Sequence, residues 1–166
     1  MFYEDVFREF AGSRVRYLIA GGVAVNLHGV PRMTYDLDIL IDLVPDNIRL
    51  VFDALAKLRF RPKVTIGADD FADPCKRAGY IEKKGMRVLS FWQDSTPMRE
   101  IDVFVENPIN FTTLWKRKVI SQLAGDLKVT VIGLDDLLYI KQLANRKQDV
   151  ADIESLLVVK RINGEK

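Results

Sequence analysis

The chain has 166 residues, the length of one compact domain with its own hydrophobic core, and its 25 Lys and Arg against 23 Asp and Glu leave a formal net charge of +2. That balance excludes a polyanionic coat and a strongly basic nucleic-acid sponge, while leaving room for a local basic surface. Cys75 is the only cysteine and His28 the only histidine, which excludes an intramolecular disulfide, a Cys-based zinc site and a histidine cluster, so acid–base chemistry falls to carboxylates, lysines or a bound metal.

Residues 3–11 have the spacing of a short amphipathic helix, with Phe2, Val6, Phe7 and Phe10 on its apolar side. This opening stretch is acidic and unlike a signal peptide, and no apolar run approaches the ~18–20 residues of a membrane span; a cytoplasmic protein with no membrane partner is expected. Tyr17 to Ala20 is a brief apolar strand, Gly21-Gly22 punctuates it, and Val23 to His28 is one or two helical turns. Asp36 to Asp42 alternates apolar and polar residues as a strand does. Pro45 opens a helix to about Leu58, with Leu50, Val51, Ala54, Leu55 and Leu58 as its buried stripe. Thr65 to Gly85 is polar and broken by Gly67, Pro74, Gly79 and Gly85, which predicts a loop with one short helix. Arg87 to Gln93 and Arg99 to Val105 are strands, and Asp94 to Met98, carrying Pro97, suits a hairpin turn. Phe111 to Lys118 is helical, Leu127 to Ile132 a strand, and Leu134 to Asn145 and Asp149 to Val159 two closing helices. The expected fold class is mixed α/β (α+β): a mixed β-sheet flanked by helices, with a helical C-terminal tail. One domain spans 1–166, its core about 15–132 and its last helices about 134–160.

Chemistry concentrates in two strands. Side chains alternate faces along a strand, so Asp36 and Asp38 share one face while Leu37, Ile39 and Ile41 take the other. Two carboxylates so close repel, and one would hold a proton at neutral pH unless a cation compensates; hard oxygen ligands suit magnesium. In Arg99 to Val105, Ile101, Val103 and Val105 share one face, and Glu100 and Asp102 the other. If this strand lies beside the first, Asp102 completes a triad able to hold two ions about 3.5–4 Å apart, the spacing of two-metal phosphoryl and nucleotidyl transfer. Gly21-Gly22, after a strand and at the head of a helix, lets backbone N–H groups approach phosphate oxygens without an intervening Cβ.

A glycine pair opening a helix, an apolar-Asp-apolar-Asp strand and a later acidic strand residue together resemble the nucleotidyltransferase superfamily with the DNA polymerase β-like fold. The stretches Leu18 to Ala24 and Arg32 to Asp38 are similar to its small bacterial branch, which includes AbiEii-type toxins and lincosamide nucleotidyltransferases. The segments Asp136 to Lys141 and Arg146 to Asp152 resemble the helical tail of the toxin-like branch, with Lys141 where a lysine faces the nucleotide triphosphate. Asp149 and Asp152 read either as that branch's acidic turn or as caps of the last helix.

The resemblance implies a metal-dependent enzyme moving a nucleoside monophosphate from an NTP to an acceptor hydroxyl. Asp36, Asp38 and Asp102 would be catalytic and metal-binding, with two Mg2+ ions or Mn2+ in their place. Gly21, Gly22, Arg32, Thr34 and Lys141 would bind the nucleotide. Three acceptor classes stand open: tRNA or another RNA, a protein side chain, and a small molecule. An antitoxin partner or a homodimer also fits the branch. Two rival readings share these residues: a catalytically silent nucleotide-binding module and a metal-dependent phosphohydrolase. Lone His28 is expected to pack at a helix end, and Trp92 and Trp115 to pack in the core or at an edge. Lys116-Arg117-Lys118, with Arg59, Arg61 and Lys63, is a candidate nucleic-acid surface.

Overall fold

The computed structural model describes residues 2–96, 98–123, 125–162 and 164. Its elements run α1 (Glu4–Gly12), β1 (Tyr17–Ile19), α2 (Gly21–Leu27), β2 (Asp36–Ile41), α3 (Pro45–Lys57), β3 (Arg61–Pro62), α4 (Ala68–Ala72), α5 (Pro74–Lys84), β4 (Val88–Trp92) and β5 (Glu100–Phe104). They close with α6 (Phe111–Lys116), β6 (Val119–Gln122), β7 (Lys128–Val131), α7 (Leu134–Ala144) and α8 (Lys147–Ile162). The strands form one sheet in the order β3-β4-β5-β2-β1-β7-β6. The β2–β5 and β1–β7 pairs are parallel and the rest antiparallel, so the expected mixed sheet with a helical C-terminus is what forms.

The core follows from alternation along the central strands. Leu37, Ile39 and Ile41 of β2 and Ile101 and Val103 of β5 are fully buried, and they join Val6, Phe7 and Phe10 of α1 and Val51, Ala54 and Leu55 of α3 in one apolar cluster. With the apolar face sealed, the acidic face of β2 and β5 is left to chemistry. On the other side of β1, the chain turns straight into α2, which packs on β2; α7 packs on α2, and α8 on α7.

Several elements depart from expectation. The polar stretch 65–85 holds two helices. Asp73 caps α5 by accepting from the backbone of Cys75 and Lys76, Pro74 occupies its first turn, and Gly85 closes it in the left-handed conformation at φ +61°. Two short edge strands, β3 and β6, go unannounced by any alternation. Phe2 and Leu50 are exposed; Tyr3 takes the buried place beside α1, and Leu50 leaves the α3 stripe to Ile48, Val51, Ala54 and Leu55. The 94–98 link does join two antiparallel strands, although Pro97 lies outside the described residues. The proposed basic surface does not assemble as one patch. Arg61 and Lys63 stand at the β3 edge, and Lys116 to Lys118 precede β6 at the opposite edge. Arg61 pairs with Asp94, Lys63 with Glu100 and Arg117 with Asp136.

Candidate active site

The parallel register of β2 and β5 sets Asp38 opposite Asp102 and Asp36 opposite Glu100. Four carboxylates thus share one small area of sheet, about 4.8 Å between strands. Burial pushes the Asp38 carboxyl up to about 6; the charges of Asp102 and Asp36 add to the rise, and Arg146 and Lys141 oppose it. Asp102 is also raised above the usual carboxylate range, first by burial and then by Glu100 and Asp36, against a hydrogen bond from Ser90 and the charge of Lys63. Asp102 Oδ1 is buried with no hydrogen-bond partner. A buried carboxylate oxygen without a donor costs free energy unless something positive completes it. Among the described residues no three His, Cys, Asp or Glu side chains already converge as a cation cage. The donor chemistry nevertheless fits a hard divalent cation: oxygen ligands only, mutually repelling, one of them orphaned.

The glycine pair is dictated by this cluster. The Ala20 N–H donates to the Asp38 carbonyl at 2.8 Å, locking the end of β1 to β2 just before α2 begins. Gly21 then adopts φ +57°, and a Cβ placed there would lie 1.8 Å from Asp38 Oδ2. The Asp38 carboxylate therefore rests on bare glycine backbone. A Cβ on Gly22 would lie 2.6 Å from Thr34 Oγ1 and 3.0 Å from Arg32 Nη1. Asp38, Thr34 and Arg32 consequently converge on two adjacent residues of one turn.

A cationic group faces the carboxylates from the C-terminal helices. Lys141 of α7 is buried, and its Nζ donates to Asp149 Oδ1 at 3.2 Å and Asp152 Oδ2 at 2.6 Å. Arg146 Nε donates to Asp149 Oδ2 at 2.7 Å, and Arg32 Nη1 to Asp152 Oδ2 at 2.7 Å. Asp149 does cap α8, accepting from the Arg146 backbone N–H at 3.2 Å, the reciprocal half of a capping box. Hydrogen bonds from Arg146 and Lys141 overcome the effect of burial and hold its carboxyl below the usual range. Asp152 makes no such capping bond.

The structure therefore brings Asp36, Asp38, Asp102, Gly21, Gly22, Arg32 and Thr34 into one neighbourhood, with Lys141 behind them, its charge felt at Asp38. Sequence reasoning missed Ser90; it read Lys63 as part of a basic surface and Arg146 as part of the helical tail, and placed neither near the carboxylates. Ser90 was findable once β4 was paired with β5, since it falls opposite Asp102. Tyr3 was missed too: its hydroxyl lies 2.5 and 2.7 Å from the Tyr35 and Glu100 carbonyl oxygens, which share its one proton, and accepts from the Glu100 N–H at 3.1 Å, steadying the chain just before β2 and the first residue of β5. His28 packs at the end of α2, its Nε2 2.8 Å from the Ile132 carbonyl. It lines a cavity of about 400 Å3 with Leu27, Arg117 and Asp136, at the end of α2 remote from the carboxylates.

A sheet with acidic residues on two parallel neighbours, beside a glycine turn that heads a helix, defines a nucleotidyltransferase-type fold. The model of the family described as nucleotidyltransferase of unknown function (DUF6036) matches residues 7–166, and the chain belongs to that family. Among solved structures, the chain is similar to the lincosamide antibiotic adenylyltransferase LnuA in its lincomycin-bound form: 17% identity, 90% of each chain covered, TM-score 0.60. It is also similar to a Thermotoga maritima protein assigned to the nucleotidyltransferases, at 14% identity over 92% of this chain and 88% of that one, TM-score 0.58. A third is an antigenic nucleotidyltransferase-like protein from Paracoccidioides brasiliensis, at 18% identity over 94% and 73%, TM-score 0.56. No curated protein matches the chain. Among the described residues no helix is long and apolar enough to cross a membrane.

Proposed function

We propose that the protein uses a divalent cation to move a nucleoside monophosphate from an NTP to an acceptor hydroxyl, with Asp36, Asp38 and Asp102 as the metal-binding and catalytic residues. The observation that carries this reading is the Asp38–Asp102 pair on adjoining parallel strands, with an orphaned Asp102 oxygen and the Asp38 carboxylate seated on Gly21. Magnesium, or manganese in its place, would be held by Asp36 and Asp38 together and by Asp102. Bound there, it supplies charge neutralisation, a more acidic acceptor hydroxyl and stabilisation of the leaving pyrophosphate.

The protein's own contributions follow from position. The backbone N–H groups of Gly21 and Gly22, at the head of α2, would receive the phosphate chain, while the space on their Cβ side is taken by Asp38, Thr34 and Arg32. The Thr34 hydroxyl and Arg32 guanidinium flank the same turn and donate to phosphate oxygens; a guanidinium binds them with two parallel N–H groups. Lys141 adds positive charge behind the site. Asp102, on the strand beside Asp38, would take up the proton of the attacking hydroxyl.

The test is incubation of the protein with magnesium or manganese, each of the four NTPs labelled at the α-phosphate, and a cell extract resolved into RNA, protein and small molecules. Label is expected in one acceptor class and absent with Asp38→Ala. Wild-type protein that neither binds an NTP nor labels any fraction, behaving as Asp38→Ala does, overturns the reading. Magnesium-dependent NTP binding with no transfer would identify a silent nucleotide-binding module.

A further inference from the structure

Asp152 lies inside α8, beyond its first turn, and its carboxylate is tied to other parts of the chain. It is 3% exposed and takes three donors from three parts of the chain: Lys141 Nζ at 2.6 Å from α7, Arg32 Nη1 at 2.7 Å from the loop before β2, and Gln148 Nε2 at 3.0 Å from its own helix. Burying this much charge is costly, and apolar residues would hold α8 in place as well or better. What they would not do is determine where Arg32 lies. The same Nη1 that meets Asp152 is the atom 3.0 Å from a Cβ on Gly22, so the guanidinium lies over the glycine turn. Its described side-chain bond uses Nη1 alone, leaving Nε and Nη2 for another acceptor. One residue earlier in that turn, Gly21 carries the Asp38 carboxylate. An arginine untethered here has a competing anion within a residue's length, and pairing with it would occupy the oxygens proposed to bind metal.

We propose that Asp152 is a positioning residue for the triphosphate: it holds the Arg32 guanidinium over Gly22, and Lys141 behind it, so that the arginine meets phosphate rather than the Asp36–Asp38 carboxylates. The C-terminal helix α8 thereby becomes part of the nucleotide grip. This inference rests on the transferase reading above.

The experiment measures magnesium-dependent affinity for an NTP and its NMP, and KM and kcat for transfer, in wild type, Asp152→Asn, Arg32→Gln and the double variant. Because Asp152 acts through Arg32, each single change is expected to weaken NTP binding and raise KM about tenfold, with kcat within about threefold and NMP affinity within about twofold. The double variant is expected to be no worse than Arg32→Gln by more than about twofold. A merely structural role would move thermal stability without discriminating NTP from NMP. Equal loss for NTP and NMP, effects that multiply to about a hundredfold in the double variant, or wild-type NTP affinity in Asp152→Asn would each overturn the proposal. Should Asp152→Asn not fold, Arg32→Lys carries the test. Its single ammonium keeps the charge but cannot span Asp152 and the turn, so the same NTP-specific loss is expected, and unchanged NTP affinity overturns the proposal. Wild-type protein that binds no NTP overturns the transferase reading and this one with it; NTP binding indifferent to Asp152 overturns this one alone.

Discussion

Replacing Gly21 by alanine tests whether the site depends on a carboxylate resting against bare backbone. Two costs are separable. The first is conformational: φ +57° is left-handed, where an alanine pays about 1–2 kcal/mol. In a chain of this length that lowers Tm by about 2–8 °C. The second is steric and local. The new Cβ would stand 1.8 Å from Asp38 Oδ2, where ordinary contact begins at 3.4 Å, so the carboxylate must retreat by about 1.6 Å. Displacement of a catalytic group by about 1 Å can cost about a hundredfold in rate. Gly85→Ala separates the two terms. Gly85 has nearly the same φ, +61°, at the end of α5, with nothing within 4 Å of an added Cβ. Both variants are measured by thermal unfolding and by nucleotidyl transfer at saturating NTP. Gly85→Ala is expected to lose stability and keep its rate; Gly21→Ala is expected to lose stability and about two orders of magnitude in rate. A Gly21→Ala variant within about threefold of the wild-type rate would show that Asp38 works from a displaced position and that the contact with Gly21 does not set its role.

Other outcomes follow from the same geometry. The Asp38 carboxyl, raised from 3.8 to about 6 chiefly by burial, favours folding while protonated, and that advantage is lost as pH rises from about 4 through 6. Asp38→Asn should therefore raise the stability to unfolding in metal-free buffer at pH 8, by up to the ~3 kcal/mol that a shift of about two pKa units represents, with little gain at pH 4; equal gains at both pH values would contradict it. In the same assay magnesium should stabilise wild type at pH 8 and not Asp38→Asn. Lys141→Met leaves Asp149 and Asp152 short of a buried partner and should cost about 3–5 kcal/mol in denaturant unfolding. Tyr3→Phe deletes a buried hydroxyl that bonds Tyr35 and Glu100, and should cost about 1–3 kcal/mol in the same measurement.

What could be read beforehand was what period and spacing encode. Alternation in Asp36 to Ile41 and Glu100 to Val105 assigns each side chain a face whatever the rest of the chain does, so the acidic and apolar faces were legible before the pairing was known. The glycine pair was legible as a close approach, though not that Asp38 and Thr34 were what it approaches. Helix α5 was misread because Pro74 and Gly85 were taken only as breakers; with Asp73 they are a cap, a first-turn proline and a left-handed stop. Strand β6 carries no alternation, being a four-residue edge with Val119 and Ile120 both exposed, and it exists because β7 pairs with it. The contacts of Lys141, Arg32 and Asp152 span 120 residues of sequence, and only tertiary packing of α7 and α8 brings them together. For the same reason the separate basic stretches looked like one surface until the sheet placed them at opposite edges.

The acidic pair on β2 and β5 is proposed to serve transfer of a nucleotidyl group. The most direct test gives the protein magnesium and the same NTP in two forms, labelled at the α- or the γ-phosphate, with an acceptor-containing extract. The α-label is expected to become covalently attached to an acceptor while the γ-label leaves as pyrophosphate, and Asp38→Asn and Asp102→Asn are expected to abolish both. Release of γ-label as inorganic phosphate with no α-label on any acceptor, or transfer undiminished in both variants, would contradict it.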